Sequence, residues 1–219
     1  MKTITAITPT PRHPGRFELL VDGKSFATLS LEAVERLRLA VGSSVEGLEE
    51  RIAHEALALR TYDRALNMLA FRGRASRELA RSLERKGEPR ELVTRAIERL
   101  TEQGLLDDAA FAESFTRAKV LGAKQSKRRV QQDLARKGVA RDVSDAAIEA
   151  VFEDEQVDQR DIVEQAARKK LASLRKLEPV VRRRRLYAFL ARRGYDSEDI
   201  RGAMDAVGEE LRGGEETEE

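Results

Sequence analysis

Leu83-Glu-Arg-Lys-Gly87, Leu134-Ala-Arg-Lys-Gly138 and Leu190-Ala-Arg-Arg-Gly194 are one phrase written three times in a single chain. The register holds well outside the phrase. Leu79, Val130 and Leu186 stand four residues before the repeated Leu; Ile97, Ile148 and Met204 stand ten after the Gly; Leu100, Val151 and Val207 stand thirteen after it. The copies are offset by 51 and 56 residues, a period that suits about three short helices per unit and predicts a stacked helical array.

The punctuation inside each copy says where the helices run. Apolar residues at i and i+4, such as Leu79 with Leu83 or Val130 with Leu134, mark the buried face of a helix. The Gly ends it, because glycine takes the left-handed backbone of a helix C-cap without steric penalty, and Lys or Arg in the preceding turn suits the negative end of the helix dipole. A further helix follows at once: Pro89 suits its first position, Asp142 puts an acid in its first turn, and Asp196 is an N-cap followed by Glu198 and Asp199. Gln103-Gly104 closes the first unit. Asp107-Asp108 then caps a helix carrying Ala110, Phe111 and Phe115.

Charge follows the same period. The chain has 41 Lys and Arg against 39 Asp and Glu, a net of only +2, but the charges are sorted. Arg72 to Lys86 carries net +4, Arg117 to Lys137 net +7 and Glu164 to Arg193 net +9, whereas Glu88 to Ser114 and Asp142 to Asp161 are acidic. Stacked copies would align the second helices as a basic stripe and the third as an acidic one. A single basic helix is ordinarily a solvated face. Three in register, one containing Arg182-Arg183-Arg184-Arg185, go beyond what solubility asks for and point to nucleic acid, bound largely through counterion release with steep salt dependence and little sequence preference. Seven Phe, three Tyr and no Trp offer no clear base-stacking platform.

Three segments carry a family resemblance: Ser76-Arg-Glu-Leu-Ala-Arg-Ser-Leu-Glu-Arg-Lys-Gly87, Gly104-Leu-Leu-Asp-Asp-Ala-Ala-Phe-Ala-Glu-Ser-Phe115 and Arg128-Arg-Val-Gln-Gln-Asp-Leu-Ala-Arg-Lys-Gly-Val139. They resemble the RecX family of bacterial recombination regulators, over roughly residues 60–207. The third copy departs from the pattern, with Arg193 for Lys and Tyr195 for Val. The resemblance implies a mainly α fold, an elongated curved array of three tandem three-helix repeats. It implies a monomeric protein that binds the RecA recombinase filament on single-stranded DNA, touches double-stranded DNA as well, and inhibits RecA's ATPase, strand exchange and coprotease activities in homologous recombination, DNA repair and the SOS response. The basic stripe then supplies the expected RecA or DNA contacts: Arg72, Arg74, Arg77, Arg81, Arg85 and Lys86 in the first copy; Lys124, Lys127, Arg128, Arg129, Arg136 and Lys137 in the second; Arg182, Arg183, Arg184, Arg185, Arg192 and Arg193 in the third.

Residues 1–59 read as an extension of a different kind. Ile4 to Ile7, Arg16 to Val21 and Ser25 to Leu29 have strand character, and Asp22-Gly23 is a hairpin turn signal. Ser30 caps a helix expected to run through Leu39, and Val45 onward is helical toward Tyr62. The expected division is an N-terminal β-hairpin and helix element at 1–59, repeats at 60–106, 107–156 and 157–208, and an acidic tail at 209–219 that reads as disordered and would compete with DNA for the basic stripe. Gly23-Lys24-Ser25 ends like a phosphate-binding loop, but Glu18 stands where the partner Gly belongs, so a turn is the better reading.

No cysteine means no disulfide, thiolate metal site or thiol nucleophile, which fits a reducing cytoplasm. No apolar run approaches membrane-spanning length and no signal-like segment opens the chain. His13 and His54 are the only histidines, without an evident nucleophile or metal partner, and Asp107-Asp108 is better explained by helix capping than by a metal. The expectation is a non-enzymatic cytoplasmic protein without cofactor. A nucleic-acid-binding helical protein unrelated to recombinases and a protein-only helical scaffold are the alternatives.

Overall fold

The structure is a computed structural model that describes residues 2–11, 13–208 and 211. The described residues fall into two compact units, one within 1–73 and 79–106, the other within 74–78 and 107–211. The acidic-tail reading lies outside the described residues, apart from Leu211.

The first unit opens with a three-stranded antiparallel sheet, β1 (Ile4–Pro9), β2 (Arg16–Val21) and β3 (Lys24–Ser30), in the order β1-β2-β3. Asp22 and Gly23 both have positive φ, 48° and 75°, and Val21 pairs with Lys24 across them. This two-residue turn matches the right-handed twist of the strands, and it holds Gly23-Lys24-Ser25 in a hairpin. One sheet face buries Ile4, Leu19, Val21 and Leu29 against Ala33, Leu37, Val45 and Ile52. The Ser30 hydroxyl accepts from the Ala33 N–H at 3.2 Å to cap α1 (Leu31–Arg36). That helix stops short of the expected Leu39, since Arg38 takes φ 53°.

Helix α2 (Glu49–Phe71) serves two cores. Its first half adds Ile52 and Ala56 to the sheet core; its second half adds Tyr62, Ala65, Leu66 and Leu69 to the first repeat, where they meet residues of α3 (Ser76–Glu84) and α4 (Arg90–Glu102). The expected division at residue 59 therefore falls inside one continuous helix. Polar contacts tie the extension to the repeat: Arg99 to Glu32 at 2.9 Å, Arg16 to Asp63, and Glu55 with both Arg36 and Arg95.

The second unit holds the other two repeats around one shared core. Repeat 2 is α5 (Asp108–Arg117), a π-helical turn (Ala118–Gly122), α6 (Lys127–Lys137) and α7 (Arg141–Asp154); repeat 3 is α8 (Gln159–Ala172), α9 (Pro179–Arg192) and α10 (Ser197–Ala206). Asp107 caps α5 through the N–H groups of Ala109 and Ala110, and Asp196 caps α10 through those of Glu198 and Asp199. Asp108 accepts from the Ser76 N–H at 2.7 Å, so both aspartates of the pair are engaged by backbone donors.

The repeated phrase has one meaning in all three copies. Leu79, Leu83, Val130, Leu134, Leu186 and Leu190 are each 0% exposed, and full burial of such a side chain is worth roughly 1.5–3 kcal/mol. Gly87, Gly138 and Gly194 all end their helices with φ between 83° and 92°. The residue after the Gly is always buried, but by different chemistry: Glu88, Val139 and Tyr195. Glu88 is paired with Arg64 and lies 2.5 Å from the Thr61 hydroxyl. Removing this carboxylate in Glu88→Ala takes away the partner of Arg64, leaves the Thr61 hydroxyl only the Leu57 carbonyl as acceptor, and opens a void. A loss of about 2 kcal/mol in urea denaturation is expected, the half-exposed Arg64 keeping the effect below that of a fully buried pair.

Candidate nucleic-acid interface

The second helices of repeats 2 and 3 carry the densest positive charge, and the structure joins them end to end. Ser126 accepts from the Arg129 N–H at 3.2 Å and so starts α6, two residues after Lys124, which takes a left-handed backbone at φ 51°. The end of α9 docks on this start. Ser126 donates its N–H to the Arg193 carbonyl at 3.1 Å, the Arg193 guanidinium donates to the Ala123 carbonyl, and the Tyr195 hydroxyl donates to the Lys124 carbonyl at 2.9 Å. Gly194 lies against Ser126 and Arg129 so closely that a Cβ built on it would come within 2.6 Å of Arg129 Cβ. A seam results. Lys124, Lys127, Arg128 and Arg129 come from one repeat, and Arg192 and Arg193 from the other.

Within that seam the cations differ in availability. Arg128 and Arg192 are exposed and form no ion pair among the described residues. Lys127 is exposed with its ammonium 4.2 Å from the Phe152 ring centre. Arg129 is held by Asp133 at 3.2 Å, and Asp133 also pairs with Arg136. Arg193 faces the Phe189 ring at 4.2 Å, and burial draws its guanidinium below the ordinary arginine value, partly offset by Tyr195. Burial likewise pushes the Tyr195 hydroxyl up.

Farther along α9, Arg183, Arg184 and Arg185 are exposed, with no ion pair among the described residues. Arg182 is a correction to the basic stripe. It is only 7% exposed, and its guanidinium donates to the carbonyls of Arg175, Leu177 and Leu211 at 3.0–3.1 Å. The reason is helical spacing: 182, 186 and 190 fall at i, i+4 and i+8 on the buried stripe. Arg182 clips the loop before α9 to the end of the chain's described part and has no surface to offer a phosphate.

Two other expected contacts also work inside the fold. Glu78 pairs with Arg74 at 3.6 Å and with Lys137 at 3.0 Å, and the Lys137 ammonium lies 5.3 Å from the Phe115 ring and 5.7 Å from Phe111. Arg77 of the same segment is exposed. In the first unit Arg72, Arg81, Arg85 and Lys86 are exposed; Arg85 is folded back on its own helix, donating to the Arg81 carbonyl and the Ser82 hydroxyl. The third helix of repeat 2 leaves Asp142, Glu149, Glu153 and Asp154 in solvent. The second unit thus presents cations on α6 and α9 and carboxylates on α7.

Sequence reasoning missed Tyr187 and Arg201. Tyr187 is 44% exposed on α9, and the usable signal was its spacing, three and four residues beyond Arg184 and Arg183. Arg201 sits in a helix that reads as acidic. The arrangement is suited to holding phosphates and contains no nucleophile poised beside a base. Among the described residues there is no cluster of three metal-ligating side chains and no helix long and apolar enough to cross a membrane.

Comparison with known proteins matches models of the first, second and third three-helix domains of RecX to residues 62–100, 107–148 and 158–204. The chain is similar to the regulatory protein RecX of Chlorobium phaeobacteroides, 32% identical over 148 residues that cover 68% of this chain and 93% of the relative. It is also similar to that of Halorhodospira halophila, 37% identical over 150 residues, 68% of this chain and 88% of the relative. Among solved structures, a crystal structure of regulatory protein RecX superposes with a TM-score of 0.72 at 22% identity, covering 94% of this chain and all of that one. RecX from Lactobacillus salivarius gives 0.55 at 18%, covering 69% and 97%. The structural likenesses speak for the fold.

Proposed function

The chain belongs to the RecX family of regulatory proteins, and we propose that it binds the RecA filament on single-stranded DNA and restrains it, lowering ATPase, strand exchange and coprotease activity. The observation that carries this reading is the seam at which the end of α9 docks on the start of α6, because it places cations from two repeats side by side along a backbone track. Such a track takes phosphates in any sequence, as a filament-wide regulator requires, and draws its affinity from released counterions. The exposed carboxylates of α7 offer a second kind of contact, to basic patches on protein.

Restraint needs a difference between states. A ligand that bound active and inactive filaments equally would shift nothing, and moving an equilibrium from mostly active to mostly inactive takes an affinity ratio on the order of 10⁴ when both extremes are to be reached. The seam supplies affinity, while the match of its cation spacing and of the α7 carboxylates to one filament arrangement supplies the difference. Action in the cytoplasm, as a monomer and without cofactor, belongs to the same proposal.

The test is retention on preassembled RecA filaments in the presence of excess free oligonucleotide. The expected result is that the protein stays with the filament. Complete transfer to the free oligonucleotide would instead describe a general nucleic-acid-binding helical protein, and no salt-sensitive binding to either would describe a protein scaffold.

A further inference from the structure

Beyond the seam, α9 and α10 line a surface groove of about 340 Å³ that shares Arg183 and Arg184 with the basic stripe. Its walls combine exposed apolar side chains with cations. Tyr187 is 44% and Val180 81% exposed, two large apolar surfaces left in water on a helix whose opposite stripe is fully buried. Arg183 and Arg184 of α9 and Arg201 of α10 ring them. Met204 closes the floor at 6% exposure, and Asp205 stands at the rim. None of the three arginines is in an ion pair with a described residue.

We infer that this groove takes one unpaired base of a single-stranded nucleic acid, stacked on Tyr187 with its flanking phosphates on Arg183, Arg184 and Arg201. The inference rests on the proposed function and names the part of the strand that the third repeat holds. An aromatic face beside cations is the arrangement by which single strands are held without sequence preference, since every base has a π-face. Asp205 discriminates between ligand classes. Its carboxylate can accept a hydrogen bond from a base amino or imino group, which the side chain of an acidic peptide does not offer. A duplex keeps its bases stacked and offers the ring nothing. The groove and the seam share a helix: Arg184 and Arg192 are eight residues apart on α9, ~12 Å at 1.5 Å per residue, which three or four nucleotides span at ~3.4 Å each.

The experiment compares a short oligothymidylate with an abasic oligonucleotide of the same length and charge, at one salt concentration. The unmodified chain should bind the base-bearing strand about tenfold more tightly, within the range of one aromatic–base contact. Tyr187→Ala should erase that preference and Tyr187→Phe should keep it, both variants being checked for unchanged thermal unfolding. Arg183→Ala and Arg184→Ala should weaken binding of both oligonucleotides alike. A direct signal is available as well: the chain lacks Trp, and Tyr62 and Tyr195 are buried, so the part of the tyrosine-fluorescence quenching by oligothymidylate that Tyr187→Phe abolishes reports on Tyr187. Equal affinity of the unmodified chain for the two strands overturns the inference, as does a preference that survives Tyr187→Ala. Tyr187-dependent binding of a Glu-rich peptide more tightly than of oligothymidylate also overturns it, and reassigns the groove to protein. Filament retention of the unmodified chain is read separately, so failure of the groove and failure of the regulator reading give different results.

Discussion

Gly194→Ala is expected to destabilise the second unit by about 2–5 kcal/mol, whereas Gly87→Ala costs about 1–2 kcal/mol in the first. Both glycines end the second helix of a repeat with positive φ, 88° and 83°, and a Cβ in that backbone costs roughly 1–2 kcal/mol. The difference lies in what surrounds them. A Cβ at Gly87 meets nothing within 4 Å, but at Gly194 it would come 2.6 Å from Arg129 Cβ and 2.7 Å from Ser126 Oγ. Relief requires the end of α9 to back away from α6, which breaks the bonds from Ser126 to Arg193 and from Tyr195 to Lys124, and overpacking of this kind adds about 1–3 kcal/mol. Urea denaturation of the two variants measures the contrast. Equal losses would mean that α9 does not dock on α6 as described, and the seam would go with it.

Reversing charge at Arg128, Arg185 and Arg192 together is expected to remove most salt-sensitive binding while leaving the fold intact. All three are exposed, none forms an ion pair with a described residue, and none contributes to a core. If each neutralises one phosphate, their loss lowers the slope of log affinity against log salt by about 2, at ~0.7 per contact for a single strand. Substitution to Glu adds repulsion, so affinity at physiological salt should fall by at least a hundredfold. The paired control is Arg182→Glu, whose buried guanidinium holds three carbonyls: that variant should lose stability first. Binding that is insensitive to the triple reversal would take the phosphate track off this face.

Much of this was legible in the chain because the repeat encodes it redundantly. The i and i+4 apolar pairs, the capping aspartates and the left-handed glycines are local signals, and each copy confirms the others. Asp22-Gly23 was equally readable, since few dipeptides accept two consecutive positive φ values. What escaped depends on geometry that the repeat does not state. Four consecutive arginines look alike in a charge count, yet helical spacing sends Arg182 inward and leaves Arg183 to Arg185 in solvent. Lys137 is claimed by Glu78, 59 residues earlier in the chain, a pairing no local pattern announces. The first repeat's opening helix begins in the preceding sheet core, because a helix that changes partners halfway shows no break in its periodicity. Tyr187 stands out only once the face of α9 is known, because it is exposed beside the fully buried Leu186.

Restraint of a recombinase filament is the role proposed for this chain. Its most direct measurement is the single-stranded-DNA-dependent ATPase of RecA from the same organism, titrated with this protein well below the RecA concentration. Inhibition at a small molar ratio is expected, reduced in the Arg128, Arg185 and Arg192 reversal. Undiminished ATPase at equimolar protein, with filament assembly verified, would contradict it.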